Sequence, residues 1–213
     1  MHKVSEAYKA AMEADAVELV KDLGAHSFYL RRVGAKAAIS FSANYRHASG
    51  GPSQPIQGIH SDMSPQGAKF VKDYVLERCL ESKDPKEMEV GRYLQEGKHA
   101  VILNVWRPLG TVTDNHLGLC KWDSLSKEDA LYSSITPTNG GNTLQRWQYR
   151  QGQRWFYLSE QKADDVYVFM QHDSRAADGH GVNVPHASFN LETDRNEAPK
   201  RSSYETRVIA IVT

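Results

Sequence analysis

The spacing of the apolar residues changes near Lys98, and that change constrains the fold more than any other feature of the sequence. Residues 99–106 read HAVILNVW, a continuous apolar run rich in β-branched side chains that ends at Arg107 and Pro108. A run of this length is typical of a strand buried on both faces. Further strand-like segments follow at 154–158, 166–170, 185–191 and 204–212. We therefore expect a core of β-strands in the second half of the chain.

Helical patterns dominate the first half. Residues 4–23 are rich in Ala, Glu, Lys and Leu and stop at Gly24, which predicts an amphipathic helix. Two pairs of a capping residue and a proline mark further helix starts, Ser64-Pro65 and Asp84-Pro85. The remaining segments are expected to be strands at 26–33 and 35–41, a turn at His116, and a short helix at 126–134 with Asp129 capping its start.

Helices early and strands late indicate a mainly β fold, a sandwich or barrel of the jelly-roll kind with flanking α-helices. We expect residues 1–213 to form a single domain, with the helical N-terminal segment 1–24 packed on the barrel. The 26 Lys and Arg balance the 26 Asp and Glu, which argues against nucleic acid as a partner. The sequence has no long apolar run to place it in a membrane, and two cysteines without a CxxC motif favour a cytoplasmic location.

A short histidine motif supplies the first candidate for chemistry. On an extended backbone the side chains of His60 and Asp62 share a face, where they could hold one metal ion. The alternative is a histidine that only hydrogen-bonds to its neighbour. Alternation also places His186, Ser188 and Asn190 on one strand face, as an inward-pointing third ligand requires. A core histidine bonded to a backbone carbonyl is the alternative there.

The last strand-like segment carries an unusual charged face. Its alternating residues are Arg201, Ser203, Glu205 and Arg207, continued by the apolar Ile209 and Ile211. Two arginines on an inward face are costly to bury without an anionic partner. A dicarboxylate cosubstrate would supply one, because a guanidinium group binds a carboxylate through two parallel hydrogen bonds. The alternative is that the arginines pair with Glu205 or with other carboxylates at the rim of the barrel.

Together these groups resemble a known constellation. Two histidines and one carboxylate leave open positions on Fe(II) that suit a 2-oxo acid and dioxygen. A His-x-Asp motif, a distal histidine and an Arg-x-Ser pair, in this order, resemble the Fe(II)/2-oxoglutarate oxygenases, which are built on a cupin-like double-stranded β-helix. The two arginines six positions apart are also similar to the R-x-N-x-T-x-R strand of the alkylated-base demethylases, in which both arginines contact 2-oxoglutarate.

A closer resemblance extends from about Gly58 to Val212. Its motifs are NVWRPL at 104–109, Val112, Asp114, 117–120, Asp123-Ser124, RWFYL at 154–158, Asp165, Asp173-Ser174, PHASF at 185–189 and R-x-S-x-E-x-R at 201–207. In this order they resemble the family of the cephem methoxylase component and the fungal fumigatonoid endoperoxide synthase. Its members are labelled hydroxylase/desaturase and act in secondary metabolism.

This resemblance assigns roles to seven residues. It implies that iron is held by His60, Asp62 and His186, and that 2-oxoglutarate is bound by Arg201 or Arg207 with Ser203, Arg107 being a further candidate. It implies an iron-dependent dioxygenase that oxidises an unactivated C–H bond of a small secondary metabolite by hydroxylation, desaturation, cyclisation or endoperoxidation.

Two alternatives to this function stay open. One is a cupin-like metal-binding module without turnover, and the other is a 2-His-1-carboxylate oxygenase that needs no 2-oxo acid.

The N-terminal portion is also short for the family. We therefore expect the cover of the site to be reduced or to come from the neighbouring subunit of a homodimer.

Overall fold

The computed structural model of the chain describes residues 5–22, 35–48, 53–131, 137–138, 143–192 and 201–212. The helices in these ranges are α1 (Glu6–Asp22), α2 (Pro65–Glu81) and α3 (Pro85–Gln95). The strands are β1 (Ala35–His47), β2 (His60–Ser61), β3 (His99–Pro108), β4 (His116–Cys120), β5 (Ala130–Leu131), β6 (Gln145–Trp147), β7 (Trp155–Phe156), β8 (Tyr167–Asp173), β9 (His186–Phe189) and β10 (Ser202–Val212). The strand expected at 26–33 lies outside the described residues.

The strands form two antiparallel sheets that face each other. One has the order β1-β10-β3-β8 and the other the order β5-β6-β2-β9-β4-β7. Strand β3, the apolar run of the sequence, lies inside the four-stranded sheet and is buried on both faces, as expected. Trp106 and Phe169 from this sheet pack against Leu117 and Leu119 from the other. Two facing antiparallel sheets with helices outside them form the jelly roll that the sequence predicts.

Helices cover both faces of the four-stranded sheet. Val17 and Val20 of α1 pack on its outer face in a cluster with Val101, Leu103 and Val208. Helix α2 covers one end of the inner face, where Val71 and Val75 lie in a cluster with Ile102, Ile209 and Ile211. The apolar end of β10 therefore lies under α2, and its polar residues are left between the two sheets.

The capping residues start the helices where the sequence predicts. The Ser64 Oγ accepts a hydrogen bond of 2.9 Å from the Gly67 backbone N–H, and the Asp84 Oδ1 accepts one of 2.7 Å from that of Lys86. These bonds satisfy backbone donors that a first turn leaves without partners. Helix α2 thus begins three residues after Asp62. In the described residues, no helix is long and apolar enough to cross a bilayer.

Two sequence predictions need correction. The segment expected to be helical at 126–134 forms only a single 3-10 turn, Lys127–Asp129, before β5 begins; residues 132–134 lie outside the described ranges. Asp129 does cap this turn, accepting the Ser126 backbone N–H at 2.9 Å. His116, expected in a turn, begins strand β4. The neighbouring Gly118 weakens the strand signal, but it fits because a Cβ there would lie only 3.1 Å from the Phe189 ring.

Candidate metal centre

Three potential metal ligands meet between the sheets. His60 lies on β2 directly opposite His186 on β9, and Asp62 follows β2. The Asp62 Oδ1 is 4.0 Å from the His60 Nε2 and 3.8 Å from the His186 Nε2. One ligand atom from each residue can be chosen so that all three lie within 4.8 Å of one another. Among the described residues, no other group of three such side chains is close enough to share an ion.

Both imidazoles are oriented as ligands. The His60 Nδ1 lies 2.8 Å from the Gly58 carbonyl oxygen, and the His186 Nδ1 lies 3.1 Å from that of Val184. A proton on each Nδ1 leaves the lone pair of each Nε2 directed at Asp62, which is the tautomer that metal ligation needs. Burial, together with the neighbouring His186, lowers the pKa of His60 to about 4, so this ring is neutral at neutral pH.

The Asp62 carboxylate is held at both oxygens. Asn104 donates a hydrogen bond of 2.7 Å to Oδ2, and Arg207 donates one of 2.7 Å to Oδ1. The backbone N–H of Asp62 is bonded to the Gln171 side chain at 2.7 Å. Burial by itself raises the pKa of Asp62, but Arg207, the two imidazoles and the Asn104 hydrogen bond together outweigh it and hold the pKa at about 2. The two imidazoles and the ionised carboxylate therefore fit Fe(II) as a donor set.

A small cavity beside these ligands contains a buried arginine. Arg201 lines it together with His60, Asp62, His186 and Trp106. Only 4% of Arg201 is exposed, and its Nε and Nη1 find no hydrogen-bond partner among the described residues. Its guanidinium carbon lies 5.3 Å from the centre of the Trp106 ring. Burial lowers the pKa of Arg201 to about 10, against the opposing effect of the Asp114 and Glu205 carboxylates, so the group stays charged at neutral pH.

The remaining candidates divide between the two faces of the sheet. Ser203 is fully buried on the same face as Arg201, and its Oγ has no hydrogen-bond partner among the described residues. Arg207 reaches the centre but pairs with Asp62 and, at 3.2 Å, with Glu205, so for this arginine the carboxylate alternative holds. The structure does not bring Arg107 to the centre. That side chain lies on the outer face, 3.7 Å from Asp15 of α1.

Residues that support Asp62 were missed at the sequence level. Asn104 and Gln171 bond to Asp62 directly, and the Thr143 Oγ donates a hydrogen bond of 2.8 Å to its carbonyl oxygen. Asn104 is a polar residue in the middle of the apolar run at 99–106, and a buried polar side chain needs a partner. That interruption is the signal that could have identified it. Thr143 carries no comparable signal.

Comparison with known proteins agrees with this geometry. A family model described as "Oxidoreductase/YMDC permease-like domain" matches residues 3–211. An alpha-ketoglutarate-dependent dioxygenase, phiK, from a fungal species is 26% identical over 159 residues, which cover 74% of this chain and 53% of that protein. The hydroxylase/desaturase CTB9 of Cercospora beticola is 30% identical over 164 residues, covering 72% of this chain and 46% of its own length. The chain thus spans about half the length of these curated relatives.

The fold has a counterpart among solved structures. The iron and alpha-ketoglutarate-dependent endoperoxidase NvfI superimposes with a TM-score of 0.72 at 23% identity, over 97% of this chain and 69% of that one. This likeness confirms the predicted jelly-roll fold. Because the family model matches nearly the whole chain, the protein belongs to this oxidoreductase family, and its resemblance to the iron- and 2-oxoglutarate-dependent hydroxylase/desaturases is confirmed.

Proposed function

We propose that this protein is a non-haem Fe(II)- and 2-oxoglutarate-dependent dioxygenase in which His60, Asp62 and His186 bind the iron. The observation that carries the proposal is the buried, charged Arg201, whose unpaired N–H groups share a cavity with those three side chains. A site that pairs metal ligands with a buried arginine whose Nε and Nη1 lack hydrogen-bond partners among the described residues is suited to a ligand that both chelates and carries a distant carboxylate. 2-Oxoglutarate has both features.

The residues of the chain have distinct roles in this reaction. Fe(II), when bound, supplies the redox chemistry that couples decarboxylation of 2-oxoglutarate to oxidation of a C–H bond. Arg201 binds the distal carboxylate of the cosubstrate, and Ser203 offers it a further hydroxyl. Trp106 packs against the Arg201 guanidinium and limits the access of water to it. In the hydroxylation outcome, one oxygen atom of O2 enters succinate, the other enters the substrate, and CO2 is released.

The substrate is proposed to be a small organic molecule, a secondary metabolite as in the family. A mostly apolar cavity of about 560 Å³ has Leu119, Phe156, Phe169 and Val184 in its wall. The three proposed ligands are not among its lining residues, but the Phe169 ring is 4.9 Å from that of His186, so one wall residue contacts a proposed ligand. Its volume is in the usual range for sites of small organic ligands.

The site can be tested without knowing the substrate. Adding Fe(II) and 2-oxoglutarate to the protein without oxygen should produce a charge-transfer absorption band, and admitting oxygen should produce succinate. His186→Ala should abolish both because one ligand of the iron is lost. Arg201→Met should still bind metal but require a much higher 2-oxoglutarate concentration for the band. If His186→Ala retains the band and succinate formation, the assignment is wrong.

The same experiment separates the alternatives. A metal-binding module without turnover would bind metal but consume no 2-oxoglutarate. An oxygenase that needs no 2-oxo acid would keep its turnover when Arg201 is replaced. Arg201 favours the 2-oxoglutarate-dependent enzyme over both, because neither alternative gives its buried Nε and Nη1 an acceptor, and they have none among the described residues.

Partners and location follow the sequence expectations. The balanced charge supports an enzyme without a nucleic-acid partner, and the buried free thiols of Cys79 and Cys120 support the cytoplasm. A homodimer is also proposed, and light scattering of the purified protein tests it. A monomeric mass across the concentration range would contradict the dimer.

A further inference from the structure

The two arginines of β10 differ in what they contact, although both are buried on its inner face. Arg201 has unpaired N–H groups in the cavity, whereas the Arg207 Nη2 is 2.7 Å from the Asp62 Oδ1. On the neighbouring strand, Asn104 lies directly opposite Arg207 and binds the other oxygen of Asp62. One pair of facing residues in the sheet thus holds both oxygens of a single carboxylate.

A second carboxylate holds Arg207 in turn. Glu205 is buried two residues before it on the same face, and its Oε1 lies 3.2 Å from the Arg207 Nη2. The guanidinium therefore bridges Glu205 and Asp62, and it is the buried counter-ion of both. Both contacts are made by Nη2, and although the Arg207 Nε has no hydrogen-bond partner among the described residues, Arg207 is not one of the residues that line the cavity containing Arg201.

We propose that Arg207 is a positioning residue for the metal, which fixes the Asp62 carboxylate with Oδ1 toward both imidazoles, while cosubstrate binding is left to Arg201. This inference rests on the proposed function, since it assigns Asp62 to the metal. Asn104 completes the arrangement because it prevents the carboxylate from rotating about its terminal bond. Groups that orient a metal ligand commonly contribute about 10- to 100-fold to metal affinity.

The direction in which metal affinity changes when Arg207 is removed distinguishes a positioning role from electrostatic repulsion. Arg207 is a cation within hydrogen-bond distance of a metal ligand, so by Coulomb's law alone its removal should tighten the binding of a divalent cation. If Arg207 positions Asp62, its removal should weaken that binding instead. A loss of metal affinity in Arg207→Met is therefore opposite in sign to the direct repulsion between the guanidinium and the metal ion. Because the loss of Arg207 also raises the pKa of Asp62, the titration is repeated at higher pH, where a loss of affinity that persists reports positioning and not protonation of the carboxylate.

The proposal is tested by titrating the full chain with Mn²⁺ alone. The electron paramagnetic resonance signal of the free ion reports how much Mn²⁺ is unbound. We expect Arg207→Met to lower Mn²⁺ affinity about 10- to 100-fold. Asn104→Leu, which changes no charge, should act in the same direction and provides a second variant if Arg207→Met does not fold. Arg78→Met is the matched control, because Arg78 pairs with Glu87 on the helical side and contacts no proposed ligand.

A second titration, of 2-oxoglutarate into the Mn²⁺-saturated protein, separates the two arginines. Arg201→Met should lower 2-oxoglutarate affinity about 10-fold or more, with Mn²⁺ affinity unchanged. Unchanged or tighter Mn²⁺ binding in both Arg207→Met and Asn104→Leu would overturn the positioning role. A wild-type protein that binds neither Mn²⁺ nor Fe(II) would instead overturn the proposed function itself.

Discussion

Replacing Gly67 by alanine tests how tightly the start of α2 is packed against the segment that supports Asp62. A Cβ at position 67 would overlap the Thr143 carbonyl oxygen and lie 2.9 Å from the Thr143 Cβ. That carbonyl oxygen also accepts the Ser64 backbone N–H at 2.6 Å. The obstacle is therefore backbone that is already hydrogen-bonded, and a rotamer change cannot remove it.

The expected change in the free energy of unfolding of Gly67→Ala is the balance of three contributions, of which one is favourable and two are unfavourable. Alanine in place of glycine within a helix favours folding by about 1 kcal/mol. Overpacking costs about 1–3 kcal/mol, and weakening the hydrogen bond to Ser64 costs about 1 kcal/mol more. The free energy of unfolding should fall by about 1–3 kcal/mol. For a chain of this size, that corresponds to a decrease in Tm of roughly 2–12 °C.

Thermal and urea unfolding of Gly67→Ala should be compared with Gly110→Ala. No heavy atom lies within 4 Å of a Cβ built at Gly110, so that variant should unfold within about 0.5 kcal/mol of the wild type. Gly67→Ala should also bind Mn²⁺ more weakly, because Thr143 donates a hydrogen bond to the Asp62 carbonyl oxygen. A Gly67→Ala protein that is more stable than the wild type would refute this packing, because helix propensity would then have decided the outcome.

Two further predictions concern stability. Burial lowers the pKa of His60 to about 4 and that of His172 to about 3, with His186 and Lys72 as the next contributors respectively. Both pKa values in the folded state lie below the ordinary value of 6.5. The contribution of these two neutral imidazoles to the stability of the fold is therefore complete above pH 6.5 and is lost as the pH falls toward 4. The urea midpoint of the metal-free protein should be lower at pH 5 than at pH 7.5, and equal midpoints would contradict burial of neutral imidazoles. Ile102 is fully buried under α2, so Ile102→Ala should lower the free energy of unfolding by about 2–5 kcal/mol. Leu131 is half-exposed, so Leu131→Ala should change it by less than about 0.5 kcal/mol. Similar urea midpoints for the two variants would contradict this assignment of the core.

Local patterns in the sequence were sufficient for most of the elements and for a candidate set of metal ligands. The apolar run at 99–106, the capping residues Ser64 and Asp84, and the alternating face of 201–207 each specify their structure through neighbours in the chain. His60 and Asp62 are two residues apart, and their shared direction follows from an extended backbone. The sequence alone therefore suggested a β-core with a candidate metal centre.

Only the tertiary structure decided which face of β3 meets that centre. A strand that is apolar on both faces gives no indication of its inward side, so Arg107 and Asn104 were equally eligible from the sequence. Strand pairing places Asn104 opposite Arg207 and beside Asp62, and it directs Arg107 toward α1. The same long-range pairing separated the contacts of the two arginines on β10. Alternation fixes which residues share a face, but their partners come from strands that are distant in the chain, and those contacts exist only after the sheets have closed.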